Sequence, residues 1–257
     1  MAIWVRFAGD GREGFGTLED ATISVHDGNM FATPSPTGET LPAASVRFLM
    51  PCQPSKMICL WNNFHALAAK LDVAEPAEPL YLLKAPTSFM GPDQPIRRPA
   101  SYDGKIVYEG ELGIVIGKQC SNASETEAAA GIFGYTCIND VTAAEIISKD
   151  KTFPQWARAK SFDTFGIFGP SIATGLDPAS LTVRTILNGA ERQKYPISDM
   201  IFPAATLVSA LSRDMTLLPG DIIACGTSVG VGAMKEAANV VEVTIDGIGT
   251  LRNTLTQ

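Results

Sequence analysis

Glu109 and Glu111 stand one residue apart in Lys105-Ile-Val-Tyr-Glu-Gly-Glu-Leu-Gly-Ile-Val-Ile-Gly117, a run whose apolar, β-branched content predicts a strand. Side chains at i and i+2 leave the same face of a strand, so this spacing sets two carboxylates side by side in apolar surroundings. Such a pair resists ionisation unless a cation neutralises it. Asp140, at the end of Tyr135-Thr-Cys-Ile-Asn-Asp140, is a third candidate oxygen ligand. An all-carboxylate set suits Mg²⁺, Mn²⁺ or Ca²⁺ far better than Zn²⁺. By spacing alone, an exposed strand edge describes the two glutamates far better, and Asp140 also reads as a turn or cap residue. Arg158 and Lys160 alternate in Ala157-Arg-Ala-Lys-Ser161, so a strand there would give the two cations one face. Gly226-Thr-Ser-Val-Gly-Val-Gly232 is a glycine-rich loop of the kind that brings backbone N–H groups to an anion, or simply makes a tight turn. It lacks the Gly-Lys-Ser/Thr ending of a phosphate-binding loop.

The elements that must hold these residues are mostly strands. Asp27-Gly28, Asp103-Gly104, Asn188-Gly189 and Asp246-Gly247 each lie between or beside β-prone runs. Such pairs supply the positive φ angles of tight hairpins. The clearest hairpins are Thr182–Leu187 with the chain after Ala190, and Val240–Ile245 with Ile248–Leu251. Helices are fewer. Ser124 and Glu127 form a capping box that opens a helix through Ala128–Ile132. Ala204–Leu211 carries Leu207, Val208 and Leu211 on one stripe, and Asn62–Leu71 is a short apolar third. The Pro/Thr/Gly-rich segment Ala32–Pro42 reads as a connection between a small N-terminal β unit and the main body.

A chain of 257 residues, 46% hydrophobic and 18% charged, is long enough for a sizeable core. The net charge of −7 and the lack of a basic block argue against nucleic-acid binding. No apolar stretch approaches a membrane span. Five scattered cysteines with no Cys-x-x-Cys pair read as reduced, buried thiols in a cytoplasmic protein. The only histidines are His26 and His65, and no Ser/His/Asp triad can be assembled from them.

The ordered series of motifs resembles the fumarylacetoacetate hydrolase family. It runs through Tyr108–Gly117, Gly134-Tyr-Thr-Cys-Ile-Asn-Asp-Val-Thr-Ala143 and Ala159-Lys-Ser-Phe-Asp-Thr-Phe-Gly166. It continues with Leu187-Asn-Gly189, Asp199-Met-Ile-Phe202, Leu217-Leu-Pro-Gly-Asp-Ile-Ile223 and Gly226–Gly232. The resemblance implies an α+β, β-rich fold: a mixed β-roll body over residues 54–257 behind a small N-terminal β domain over residues 1–53. It also implies a homodimer. It makes Glu109, Glu111 and Asp140 the ligands of Mg²⁺ (or Mn²⁺ or Ca²⁺), and turns Lys160 into the site to steady substrate charge. Gly226 and Thr227 then line the substrate pocket, with Arg158 and Gln193 as further substrate-binding candidates.

Two departures from the family pattern matter. Members of the family usually carry a His–Glu dyad that activates water; here Leu67 and Lys70 occupy those positions, and His65, two residues before Leu67, is the candidate substitute. On a helix His65 lies about 200° around from Leu67, at ~100° per residue. The Arg that usually follows the ligand Asp by four is Ala144. The expectation is therefore a metal-dependent enzyme acting on a small 2-oxo or 2,4-dioxo acid through an enolate, by hydrolytic C–C cleavage or decarboxylation. The alternatives are an isomerase or tautomerase of a 2-hydroxy-diene-dioate, and a catalytically idle binding protein.

Overall fold

Gly110–Ile116 is buried at every residue, as the apolar run from Leu112 to Ile116 requires of a strand covered on both faces. It lies between Ile132–Asp140 and Ile222–Ala224 in a twelve-stranded sheet. The computed structural model describes residues 1–256. Beyond Ile222–Ala224 come Met57–Trp61, paired in parallel, and then the edge strand Leu80–Lys84. On the other side Ile132–Asp140 pairs with Gly166–Thr174, which pairs with Ala2–Gly9 at the start of the chain. The strands Arg12–Glu19, Thr22–Asp27 and Ser35–Pro42 extend that edge in antiparallel order. The N-terminal unit thus shares a sheet with the body while keeping a small core of its own around Val5, Phe7, Ile23 and Val25.

A five-stranded sheet contains Ala190–Pro196, Thr182–Leu187, Ala238–Ile245, Gly249–Thr256 and Pro95–Ile96. It packs on the large sheet through Val183, Val241, Val243, Leu251 and Leu255, which join Leu112, Ile114 and Cys137 in the main core. Both expected hairpins are present. Asn188 and Gly189 sit at φ 51° and 78°, the left-handed pair that a two-residue turn demands. The β-rich α+β reading therefore holds.

The five α-helices among the described residues are short. They are α1 (His65–Leu71), α2 (Glu125–Gly131), α3 (Ala144–Ile147), α4 (Trp156–Lys160) and α5 (Ala204–Asp214). The capping box forms as expected: Glu127 N–H donates to Ser124 Oγ, and Ser124 N–H donates to Glu127 Oε2 at 2.9 Å. α5 buries Leu207, Val208 and Leu211. α1 starts three residues later than the sequence suggests. Asn62 sits at φ 56°, and Asn63 spends its side chain on Phe202 N–H and Cys225 C=O.

Three sequence-based expectations are corrected. Ser35–Pro42 is a strand and not a connection, because it continues the ladder with Thr22–Asp27. Lys105–Gly117 is two strands, Ile106–Tyr108 and Gly110–Ile116, broken at Glu109. The segment holding Arg158 and Lys160 is the helix α4, so i and i+2 point about 200° apart. Among the described residues, no helix is long and apolar enough to cross a membrane.

Candidate metal centre and lysine cluster

Gly110 has no room for a side chain: a Cβ there would lie 2.0 Å from Thr185 Oγ1. Its N–H donates to Gln193 Oε1 at 3.0 Å, and its C=O accepts from Tyr195 Oη at 2.5 Å and Thr227 Oγ1 at 3.0 Å. This clamp fixes the residue between the two glutamates. Glu109 lies in the break between strands, where its N–H donates to Asn139 Oδ1 and its C=O accepts from Asp140 N–H at 2.8 Å. Candidate ligand oxygens of Glu109, Glu111 and Asp140 come within 4.8 Å of one another. Glu111 and Asp140 are fully buried; Glu109 is half-buried and gives the group its opening.

Two lysines meet this triad. Lys160 Nζ donates to Glu109 Oε2 at 2.9 Å, Asp140 Oδ2 at 2.5 Å and Thr142 Oγ1 at 2.8 Å. Lys84 Nζ forms an ion pair with Asp140 Oδ1 and donates to Phe165 C=O at 3.0 Å and Val141 C=O at 3.3 Å. Thr142 Oγ1 also donates to Glu109 Oε1 at 2.8 Å. Sequence reasoning missed Lys84 and Thr142. The available signal for Lys84 was a lone cation ending the apolar strand Leu80–Lys84, a position where burial demands a partner.

The electrostatics separate the carboxylates. Burial pushes the Glu111 carboxyl well above its ordinary range, and the charges of Asp140 and Glu109 push it further. Burial also opposes ionisation of Asp140, but the Lys160 and Lys84 ammoniums outweigh it and hold Asp140 below its usual value. Desolvation pulls Lys160 downward, yet the charges of Asp140, Glu109 and Glu111 raise it above an ordinary lysine. Glu111 Oε2 accepts from Gly226 N–H at 2.8 Å, while Oε1 is buried with no partner. An orphaned carboxylate oxygen beside two others is a donor set fitted to a hard divalent cation.

The remaining candidates are placed as follows. Gly226, at φ 89°, lets its N–H reach Glu111. Thr227 Oγ1 accepts from Gln193 Nε2 at 2.8 Å, and Nε2 also reaches Ser228 and Val229 carbonyls. Gln193 therefore ties the glycine-rich loop to the Glu-Gly-Glu segment, with its polar atoms committed to that task. Arg158 is a correction: it lies exposed and donates to Gln155 Oε1, on a different side of α4 from buried Lys160. His65 is exposed, with Nδ1 2.5 Å from Glu75 Oε1. Leu67 packs against the core, and His26 contacts Trp4 and Phe15 in the N-terminal unit. All five cysteines are free and buried.

Cation binding should stabilise the protein, and more so as pH rises. A raised Glu111 means its ionised form opposes folding above the unfolded carboxylate value near 4.3; a bound cation removes that cost but must compete with the proton at lower pH. At a hundred times Kd the gain is about 2.7 kcal/mol. Thermal melts with Mn²⁺ or Mg²⁺ should show a larger upward shift at pH 8 than at pH 5.5. No shift at either pH would remove the metal assignment.

Residues 56–256 match the family described as fumarylacetoacetate (FAA) hydrolase C-terminal, and residues 4–51 match one described as Rv2993c-like, N-terminal. The structure of a 2-hydroxyhepta-2,4-diene-1,7-dioate isomerase from Mycobacterium marinum superposes with a TM-score of 0.90 at 39% identity, covering 100% of this chain and 98% of that one. The oxaloacetate tautomerase of Bacillus subtilis is 36% identical over 78% of this chain and 70% of its own length. A maleylpyruvate hydrolase from Sphingobium sp. SYK-6, solved with manganese(II) and pyruvate, superposes with a TM-score of 0.78 at 26% identity, covering 100% and 99% of the two chains.

Proposed function

The chain belongs to the fumarylacetoacetate hydrolase family, and from that premise we propose that it is a divalent-cation-dependent tautomerase or isomerase of small 2-oxo acids, acting through an enolate. The observation that carries this reading is the buried triad of Glu109, Glu111 and Asp140 with two lysine ammoniums against it. Three carboxylates and two lysines leave one net negative charge; a divalent cation makes the cluster net positive, matched to a 2-oxo acid. Mg²⁺ is the proposed cation, with Mn²⁺ the alternative present in the hydrolase relative. When bound, the cation supplies Lewis-acid polarisation of adjacent substrate oxygens.

The chain's own residues do the rest. Glu109, Glu111 and Asp140 would hold the cation at the open side of the cluster, and with it the place for the oxo-acid end. Lys160, kept protonated by its neighbours, would stabilise the charge that develops on the oxo oxygen. Lys84 keeps Asp140 ionised and oriented. Tautomerisation needs only that a proton leave one atom and another be returned.

Hydrolysis needs an activated water as well, and the polar and ring contacts of the two histidines are not with the cluster: His26 meets Trp4 in the N-terminal unit, and His65, exposed on α1, pairs with Glu75. This moves the emphasis away from hydrolysis, and the tautomerase and isomerase relatives favour isomerisation over decarboxylation. Hydrolytic C–C cleavage is the second reading, favoured by one observation, the short His65–Glu75 contact, which resembles a base with its orienting carboxylate.

The test is decay of the oxaloacetate enol, followed by its ultraviolet absorbance with Mg²⁺ or Mn²⁺ present. We expect acceleration that a chelator abolishes. Failure to accelerate the decay of this enol and of the phenylpyruvate enol with either cation would sink the reading. His65→Ala should leave this rate within about twofold, since a positioned base contributes on the order of 10²–10⁴ where it acts. If acylpyruvate cleavage is brisk and His65→Ala removes it, hydrolysis is the true activity.

A further inference from the structure

Trp61, Leu80, Tyr81, Leu82 and Trp156 line a groove of about 350 Å³ in which none of the lining side chains carries a charge. The Trp61 and Trp156 rings lie 5.7 Å apart, tilted by 54°. Leu80 and Tyr81 are exposed, and the two tryptophans and Leu82 are half-buried. An aromatic, uncharged groove of this size on a chain of net charge −7 is a surface suited to an apolar ligand.

Its two walls lead directly to the two lysines of the metal cluster. Leu80, Leu82 and Lys84 alternate on one strand and so share a face; Trp61 lies opposite Leu80 on the neighbouring strand. Lys84 is about 6.6 Å beyond Leu82 along the strand. Trp156 and Lys160 are the first and last residues of α4, one turn and about 6 Å apart on the same side. α4 packs against this strand. The groove thus lies one strand repeat and one helical turn from the two lysines, within reach of the tail of a molecule whose oxo-acid end sits at the cluster.

We propose that the groove between Trp61 and Trp156 is the subsite for the substrate's tail, and that it selects 2-oxo acids with an aromatic or branched aliphatic tail over those ending in a second carboxylate. This rests on the tautomerase reading and adds its substrate class. The physical ground is that a carboxylate tail would be desolvated there with no cation among the lining residues, whereas a phenyl ring gains burial and aromatic contact.

The probes are phenylpyruvate, pyruvate and oxaloacetate with the Mn²⁺-loaded protein. Calorimetry should show phenylpyruvate binding about 10–100-fold more tightly than pyruvate, the range expected for burying one ring. Trp61→Ala should erase most of that difference. It should also lower the ratio of kcat/KM for enol-phenylpyruvate to that for enol-oxaloacetate by about tenfold or more. Leu80→Lys, at an exposed position that should tolerate the change, should lower the same ratio. If oxaloacetate enol is turned over but phenylpyruvate binds no better than pyruvate, the subsite is wrong and the tautomerase reading stands. If phenylpyruvate binds tightly and Trp61→Ala abolishes this, yet neither enol reacts, the subsite stands and the tautomerase reading fails. If Trp61→Ala instead dissociates a dimer in sedimentation and weakens all three ligands equally, the groove is an interface between copies and the proposal is overturned.

Discussion

Glu111→Gln is expected to abolish the cation response and at least 10³-fold of turnover while making the cation-free protein more stable. The two effects have opposite signs because Glu111 serves function at the expense of folding. Its carboxylate is buried, faces Asp140 and Glu109, and leaves Oε1 without a partner. Glutamine keeps an acceptor for Gly226 N–H and removes the charge. Replacing a buried, poorly compensated charge by a neutral group of the same shape commonly gains about 1–2 kcal/mol, or roughly 2–8 °C in a chain of this size. Thermal melts with and without Mn²⁺ and rates on the oxaloacetate enol check both arms. A less stable cation-free variant would mean that Glu111 is structural, and a variant retaining a normal Mn²⁺ shift would remove it from the ligand set.

Lys160→Ala is expected to lower both turnover and stability, the turnover by 10²-fold or more. The side chain is buried and donates to Glu109, Asp140 and Thr142, so its loss leaves Asp140 with Lys84 as its one remaining ammonium. Breaking a buried ion pair by removing one partner costs about 3–5 kcal/mol. Added Mn²⁺ should restore much of the melting temperature, because a cation also neutralises the carboxylates, but not the rate, because the ammonium is missing where substrate charge develops. The pH dependence has a definite sign. Lys160 has a raised value, so its contribution is complete below the unfolded lysine value near 10.4 and is lost only as pH rises past the folded one. Asp140 has a lowered value, so its contribution is present above the unfolded value near 3.9 and is lost as pH falls through the folded one. Wild-type stability should thus keep the lysine–carboxylate contribution from mildly acidic to mildly alkaline pH, and Lys160→Ala should lose it across that whole window. Near-native kinetics in this variant would take Lys160 out of the mechanism.

Much of the site was legible in the sequence, for local reasons. The Glu-Gly-Glu spacing, the capping box at Ser124 and the Asn188-Gly189 turn depend on side-chain period and φ preference, which a few consecutive residues decide. The all-oxygen ligand set follows from residue chemistry alone. The misreadings have the same origin. Ala157–Ser161 alternates in composition, yet it is one turn of helix in a segment that makes no ladder, so Arg158 and Lys160 part company. Ser35–Pro42 has the Pro and Gly of a linker, and only its partner strand makes it a strand.

What the sequence by itself determined is which residues carry charge, which turns close tightly and that the chain is richer in strand than in helix. The tertiary structure alone decided that Lys84, separated by 56 residues from Asp140, would meet it. It likewise decided that Gln193 would be consumed in holding Gly110 and Thr227, and that Trp61 and Trp156 would form one groove beside both lysines. The physical reason is that a buried charge must find a partner, but the partner is set by sheet order and packing across the whole fold, which local preference does not encode.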